Sequence, residues 1–236
     1  MKVVTRDRII VGVVVVVVVA LAVSRAVITA QTFLLFGVAV PSIILHEVSH
    51  GVAALWFGDD TAKQAGRITL NPVAHIDVFG TLILPALLAL SGLGVFGYAK
   101  PVPINPNRMR HPRNDAVLVS LAGPATNLII ALVAALWLRH LNPSVLAFNS
   151  GPWLMRIPLA LGFVNVVLGV FNLIPIPPLD GSSVIGRVLP KQWLSGWNQF
   201  RRYGMIVLIV LVLAAPAVLS RIFDPAENLW LRFVAR

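Results

Sequence analysis

The chain has 236 residues, of which 58% are hydrophobic and only 12% are charged, whereas a soluble domain usually carries about a quarter charged residues. This composition excludes an ordinary soluble protein and indicates an integral membrane protein. The chain has no cysteine, which excludes disulfides, thiolate nucleophiles and cysteine-ligated metals, so any metal must be held by His, Asp or Glu. The formal net charge of +10 comes from Lys and Arg between apolar runs, which favours lipid head groups over nucleic acid.

Six apolar runs approach the roughly 20 residues that a helix needs to span a bilayer. They are residues 9–23, 32–57, 80–98, 116–138, 157–174 and 204–219. The first run follows a basic start, as a cleaved signal peptide also would. Because further apolar runs follow, a retained first transmembrane helix is the favoured interpretation.

The distribution of Lys and Arg tests how many of these runs cross the membrane. If all six crossed, the basic residues would divide ten against nine between the two sides. If residues 80–98 enter and leave on one side, thirteen lie on the cytoplasmic side and six outside. This run also contains Pro85 and several glycines, which are tolerated at membrane depth where backbone lines a cavity. The sequence therefore predicts five full crossings and one re-entrant segment, five to six membrane helices in all.

Two connecting segments carry turn signals. Residues 58–78 contain a short alternation of polar and apolar residues followed by Asn71-Pro72, which predicts a small β-hairpin at the membrane surface. Residues 100–115 are rich in proline and basic residues, and we expect an ordered cytoplasmic loop. The predicted fold is an all-α polytopic membrane protein forming a single domain over residues 1–236.

The second apolar run contains His46-Glu47-Val48-Ser49-His50, an HExxH pattern. On a helix, residues i and i+4 share a face, so both imidazoles can reach one zinc ion, while Glu47 lies about 100° around the helix axis from His46. Ionisable side chains at membrane depth are costly unless they bind, pair or react. An interfacial polar cluster is the alternative, and the pattern favours a zinc site.

Catalytic zinc usually has three protein ligands, so a third must come from elsewhere in the chain. Asp180 follows an apolar run and the prolines Pro175, Pro177 and Pro178, which end regular helical hydrogen bonding and would let a side chain point into the bundle. The alternative is that Asp180 caps the next helix. Beside an incomplete zinc site, a ligand role is favoured.

At this point the chain resembles the site-2 protease family of intramembrane zinc metalloproteases, in the branch without a PDZ domain. The resemblance covers about residues 38–187 and rests on four ordered motifs: the HExxH pattern, the stretch from Asn71 to Asp77, Gly123-Pro124-Ala125-Thr126-Asn127, and the stretch from Asn172 to Gly181. It implies a three-helix catalytic core, here residues 32–57, 116–138 and 157–178, within a catalytic region of about residues 32–187. The active site would lie inside the membrane, nearer the cytoplasmic face.

The resemblance also implies residue roles. His46, His50 and Asp180 would bind one Zn²⁺ per chain, Glu47 would be the general base, and Asn172 would stabilise the oxyanion. Two further residues are possible supports. His75 is equally compatible with a role at the site and with an ordinary loop hydrogen bond, and Asn127 is expected to pack closely between helices with its amide satisfied across their interface.

The predicted function is therefore a zinc-dependent intramembrane endopeptidase that hydrolyses peptide bonds in or next to transmembrane segments. The alternatives are a zinc-binding transporter, which would need ligands but no adjacent base, and a catalytically silent scaffold, which usually would have lost a ligand or Glu47. The expected partners are a transmembrane protein substrate and the lipid bilayer, without nucleic acid. We expect a prokaryotic plasma membrane, and the sequence leaves the oligomeric state open.

Overall fold

The computed structural model describes residues 29–77, 80–81, 98–141 and 152–235. The chain divides into two compact units, one of Met1–Leu34 with Ile76–Lys100 and one of Leu35–His75 with Pro101–Arg236. The single domain expected over residues 1–236 stays a prediction. The first apolar run, residues 9–23, lies outside the described residues.

The described residues form α-helices joined by short 3-10 turns, and no strand occurs among them. The 3-10 turns are Pro72–His75, Pro106–Arg108 and Lys191–Trp193. The helices are α1 (Ala30–Trp56), α2 (Thr61–Gln64), α3 (Pro112–His140), α4 (Trp153–Leu173), α5 (Ser182–Val188), α6 (Leu194–Arg201), α7 (Gly204–Ala214) and α8 (Pro216–Val234).

Three of these helices, α1, α3 and α4, are long and apolar enough to cross a membrane. Helices α3 and α4 pack antiparallel: the Asn127 and Asn165 side chains are hydrogen-bonded, and Leu138 and Leu159 belong to one buried cluster nearer the other end of the pair. Helix α1 joins them through Ser42, which accepts a hydrogen bond from Asn165. The three predicted core runs are therefore helical and in mutual contact. Helix α4 ends at Leu173, ahead of the predicted residue 178, because Ile174 precedes Pro175 and is extended (φ −60°, ψ 130°).

The last predicted crossing, residues 204–219, is wrong as a single helix. It breaks at Ala215, and the axes of α7 and α8 differ by 85°. Pro216 explains the break, because proline has no N–H for the preceding turn and is favoured at the first position of a new helix. Helix α7, about 16 Å long by its helical rise, is too short to span the bilayer alone.

Helix α8 runs along the α3–α4 pair, antiparallel to α4. The Phe223 ring lies 6.2 Å from the ring of Phe171, and further along the helix the indole of Trp230 donates to the carbonyl of Ala131 at 2.8 Å. Trp230 also packs on Gly162, where a Cβ atom would lie 1.8 Å from the indole ring. If the bent pair α7–α8 is counted as one span, the described residues contain up to four membrane spans.

The β-hairpin predicted for residues 58–78 is not found. The described part, residues 58–77, forms α2 and the Pro72–His75 turn instead. The cause is local: the Asp59 carboxylate accepts hydrogen bonds from the backbone N–H and the hydroxyl of Thr61, which closes a turn at the start of α2. Backbone N–H groups of Gln64 and Ala65 then bond back to Asp60 and Thr61 rather than across a ladder.

In the other compact unit, the described ends of the 80–98 run lie side by side. The N–H of Tyr98 donates to the carbonyl of Gly80 at 3.0 Å, and the Thr81 hydroxyl donates to the carbonyl of Tyr98 at 2.9 Å. Residues 82–97 themselves lie outside the described residues, so the predicted re-entrant segment is described only at its two ends.

Candidate metal centre

Three side-chain atoms that could bind a metal, from two distant parts of the chain, converge between the helices. His46 Nε2 lies 3.1 Å from Asp180 Oδ2, His50 Nε2 lies 3.3 Å from the same oxygen, and the two Nε2 atoms are 3.1 Å apart. Both histidines are buried, with 6% and 5% of their surface exposed. Within the described residues, this is the one group of three or more His, Asp or Glu side chains with metal-site spacing.

The second nitrogen of each imidazole is held by a neighbouring helix. His50 Nδ1 lies 2.7 Å from the carbonyl oxygen of Val119, which can only accept, so this nitrogen carries the proton. His46 Nδ1 lies 2.5 Å from Asn127 Oδ1. The orientation of the Asn127 amide is fixed because its Nδ2 donates to Asn165, which leaves Oδ1 facing His46. In a neutral imidazole whose Nδ1 carries the proton, Nε2 is the nitrogen that can bind a metal, and both Nε2 atoms face each other and Asp180.

This arrangement fits a zinc ion. Three lone-pair atoms facing one another repel unless a cation lies between them, and the buried Asp180 Oδ2 accepts no hydrogen bond. Zinc binds imidazole nitrogen and carboxylate oxygen at about 2.0–2.2 Å in tetrahedral geometry, which places ligand atoms about 3.3 Å from each other. The observed separations of 3.1 to 3.3 Å match that value.

Gly123 gives the metal centre its space on the α3 side. A Cβ atom at this position would lie 2.5 Å from His46 Cε1 and 2.5 Å from His50 Nε2. Any larger residue would push the two imidazoles out of position. The glycine of the Gly123-Pro124 motif thus lets α3 approach the two histidines directly.

The chain reversal after α4 brings Asp180 to the histidines. Residues 174–181 form consecutive turns, and the N–H of Gly181 donates to the carbonyl of Asn172 at 2.7 Å. At Gly181 a Cβ atom would lie 2.2 Å from the Leu173 carbonyl oxygen, so only glycine allows this return. The prolines noted in the sequence thus end the helix and turn the chain back toward its own last turn.

A chain of buried amides connects His46 to two other helices. Asn127 Nδ2 donates to Asn165 Oδ1 at 2.7 Å, and Asn165 Nδ2 donates at 2.8 Å both to the Ser42 hydroxyl and to the carbonyl of Leu161. Asn127 and Asn165 are completely buried. The Asn127 amide is thus satisfied across the helix interface and also orients a proposed ligand.

Sequence reasoning missed Asn165 and Ser42. The available signal for Asn165 was its position: it is an isolated amide within the apolar run of α4, and polar residues inside membrane helices usually have a specific partner. Nothing in the sequence identified that partner, because the two asparagines lie on different helices.

Glu47 is half-buried on the same helix as the two histidines. Its Oε2 accepts a hydrogen bond of 2.9 Å from the backbone N–H of Val102. Val102 is itself buried and lies between Pro101 and Pro103 in a segment that is neither helix nor strand. The Glu47 carboxylate, the predicted base, is therefore held by a backbone N–H of the loop that contains Val102.

Two other predicted residues, Asn172 and His75, form hydrogen bonds within their own parts of the chain. Asn172 Nδ2 donates to the carbonyl of Leu168 in its own helix at 3.0 Å, which uses one of its two hydrogens. His75 is buried, and its Nε2 bonds to the carbonyl of Thr69 at 2.9 Å, which closes the 69–75 turn. Its Nδ1 is buried and has no hydrogen-bond partner.

Comparison with known proteins gives one family. The sequence model of Peptidase family M50 matches residues 147–215. YwhC of Bacillus subtilis, provisionally named a zinc metalloprotease, is 40% identical over 180 residues, which are 72% of this chain and 75% of YwhC. Rip2 of Mycolicibacterium smegmatis, named in the same provisional way, is 33% identical over 191 residues, 80% of this chain and 66% of Rip2.

A more distant relative is zinc metalloprotease MJ0392 of Methanocaldococcus jannaschii. It is 23% identical over 152 residues, which are 64% of this chain and 33% of the relative. No solved structure matches the chain. The extent of the YwhC and Rip2 matches settles the assignment: this chain is a metalloprotease that belongs to peptidase family M50, the site-2 protease family.

Proposed function

We propose that this metalloprotease binds one zinc ion per chain and hydrolyses peptide bonds in or next to transmembrane segments of other proteins. The observation that carries the proposal is the convergence of His46 Nε2, His50 Nε2 and Asp180 Oδ2 within 3.1 to 3.3 Å of each other between membrane-length helices. A substrate that reaches this site must itself enter the membrane. The partners are therefore a transmembrane protein and the bilayer.

The positions of the side chains support the proposed roles. His46, His50 and Asp180 would hold the zinc ion, which when bound supplies a Lewis acid that polarises a carbonyl and acidifies water. Glu47, next to His46 in the chain, takes a proton from the attacking water and passes it to the departing amine. Asn127 orients His46 through its Nδ1–H.

Asn172 is proposed as the donor to the developing oxyanion. Its side chain lies at the end of α4, and the carbonyl of the same residue accepts the Gly181 N–H next to Asp180. One amide hydrogen bonds to Leu168, and the other is the one that would be donated. Such a donor in a water-poor site contributes about 3 to 4 kcal/mol at the transition state.

We also propose that the metal centre faces the cytoplasmic side of a prokaryotic plasma membrane. The hydrogen-bonded ends of the 80–98 run support an entry and exit on one side, as the count of basic residues predicts. The relatives belong to bacteria and an archaeon, which supports the prokaryotic membrane.

The first experiment is proteolysis by the purified protein in liposomes, with a panel of tagged single-span membrane proteins as substrates. Glu47→Gln keeps the size of the side chain and removes the base, so we expect cleavage to fall about 10²- to 10⁴-fold while the bound zinc remains. Zinc is measured in the same preparations by metal analysis. Glu227→Gln is the matched control, because Glu227 is the only other glutamate in the chain, and it should cleave like the wild type.

The outcomes separate the functions considered. Equal cleavage by wild type and Glu47→Gln would remove Glu47 from the mechanism. Zinc flux into wild-type liposomes without cleavage of any substrate would favour the transporter. Zinc bound at one equivalent with neither flux nor cleavage would favour a scaffold.

The proposed orientation has its own test. Because the chain has no cysteine, single cysteines introduced at exposed Asn107 and His140 can be labelled with an impermeant maleimide. We expect labelling of Asn107→Cys from the cytoplasmic side and of His140→Cys from the opposite side. Labelling of both positions from one side would contradict the topology.

A further inference from the structure

Glu47, the proposed general base, is in contact with a segment that the sequence predicted only as a proline-rich loop. This 101–105 segment has the sequence Pro101-Val102-Pro103-Ile104-Asn105. The N–H of Val102 donates to Glu47 Oε2 at 2.9 Å. Neither flanking proline has an N–H, so Val102 carries the one backbone donor among residues 101–103.

This segment is fixed at several points to the chain that follows the zinc-binding helix. The N–H of Asn105 donates to Asp59 Oδ2 at 2.6 Å, and the Arg67 guanidinium donates to the carbonyl of Pro101 at 3.4 Å. The backbone N–H of Arg110 bonds to the carbonyl of Phe57 at 3.1 Å. The donor at Val102 is thus held from both sides.

Side-chain packing places the segment against the face of α1 that carries Glu47 and Gly51. Val102 is 5% exposed, and its Cγ1 lies 3.3 Å from the position that a Cβ atom would take at Gly51. Gly51 directly follows His50, so the absence of a side chain there lets the segment reach α1 one turn after Glu47. The prolines and the glycine together set the distance between backbone and base.

We propose that Val102 is a positioning residue for the general base: its N–H holds Oε2 of Glu47, and Oε1 remains to exchange the proton. A backbone donor to a carboxylate is a charge-assisted hydrogen bond, which fixes the side-chain rotamer more firmly than a neutral one. The inference rests on the proposed function, in which Glu47 is the base. The contact itself can be tested without any substrate.

The substrate-free test is amide hydrogen exchange measured by mass spectrometry. Because prolines flank Val102, deuterium uptake by residues 101–103 reports this single amide. We expect exchange at Val102 to be about tenfold faster in Glu47→Ala than in the wild type, while Glu47→Gln, which keeps an acceptor oxygen, changes it less. Equal exchange in wild type and Glu47→Ala would overturn the contact whether or not the protein cleaves a substrate.

The kinetic test compares two substitutions at one position. Val102→Ala shortens the side chain and keeps the N–H, whereas Val102→Pro removes the N–H. We expect kcat of Val102→Pro to be about 10- to 100-fold below that of Val102→Ala, with KM within about twofold and zinc content equal. Equal kcat values would overturn the proposal, and a higher kcat for Val102→Pro would show that the segment obstructs the base.

A second variant covers the case in which Val102→Pro does not fold. Replacement of both Pro101 and Pro103 by alanine keeps the Val102 N–H and loosens the backbone that presents it. We expect a loss of kcat smaller than that of Val102→Pro, because the N–H donor is kept while its backbone is less constrained. An unchanged kcat would contradict the role of the prolines. If the wild type cleaves nothing, the proposed function fails and the exchange experiment still decides the contact.

Discussion

The helix pair α3–α4 is packed in two different ways along its length. At the metal centre its interface contains the buried amides Asn127 and Asn165, which are hydrogen-bonded to each other, while Gly123 of α3 faces the two imidazoles of α1. Toward the other end it consists of small and aliphatic residues closed by Trp230, a cluster that includes Ala131, Ala134, Ala135, Leu138 and Leu159.

The difference reflects what each region must do. Lipid is as apolar as leucine, so the apolar region is held by close packing of small residues rather than by exclusion of water. In the polar region an unpaired amide at membrane depth is costly, so each hydrogen bond selects one arrangement. We expect changes in the apolar region to alter stability and changes in the polar region to alter the metal centre.

The largest effect is expected at a proposed ligand. His50→Ala removes one of three zinc-binding atoms, so zinc should fall from one equivalent to near zero and cleavage should be abolished. Metal analysis and the liposome assay measure both. His140→Ala, at the exposed end of α3, is the control. Full zinc occupancy in His50→Ala would mean that the convergent atoms are not the zinc site.

A pair of glycines tests the comparison directly. Gly123→Ala places a methyl group 2.5 Å from both imidazoles, whereas Gly162→Ala places one 1.8 Å from the Trp230 ring. Displacement of reacting groups by about 1 Å can slow a reaction about 100-fold, so Gly123→Ala should lose cleavage and zinc. Gly162→Ala should lower the thermal midpoint in detergent and keep one zinc per folded chain. The reverse pattern would remove the distinction between the two regions.

The second pair consists of one polar and one apolar residue of α4. Asn165→Leu leaves the Asn127 amide without its acceptor, so His46 loses its orientation and zinc affinity should fall about 10- to 100-fold. Leu159→Ala opens a cavity in the apolar cluster, so it should lower the thermal midpoint and leave zinc affinity unchanged. Competition with a chelator measures the affinities. Equal zinc affinity in the two variants would show that the amide chain does not act on the metal centre.

The smallest effect concerns a buried polar group outside the membrane helices. Burial alone would raise the pKa of Asp59, but hydrogen bonds from Thr61 and Asn105 outweigh it and hold this pKa below its ordinary value of 3.8. The carboxylate therefore stabilises the fold at pH values above 3.8, and this contribution is lost as the pH falls through the lower folded-state pKa.

The measurement is the difference in thermal midpoint between wild type and Asp59→Asn. We expect a lower midpoint for the variant at pH 7 and a difference that narrows below about pH 3.8. Because both proteins carry the same histidines, loss of zinc in acid affects both alike. A difference that stays constant with pH would mean that the Asp59 charge contributes nothing.

Much of the metal centre was predictable from the sequence because its signals are local. The HExxH spacing places two imidazoles on one helix face wherever that helix lies, and the prolines before Asp180 end α4 by steric necessity. The apolar runs that form α1, α3 and α4 were recognisable by their length alone. The same local reasoning failed at residues 58–77, where the Asp59 carboxylate closes a helical turn on Thr61 that the polar–apolar alternation did not indicate.

By itself the sequence predicted a membrane protein with two histidines of a zinc-type pattern and a candidate base, since these follow from composition and from spacings within one helix. Only the tertiary structure decided that Asn127 pairs with Asn165, that Val102 reaches Glu47, and that α8 rather than α7 lies along the α3–α4 pair. The physical reason is the separation of the contacting residues along the chain. Each of these contacts joins residues far apart in the chain, and hydrophobic periodicity identifies a buried face without identifying the partner that covers it.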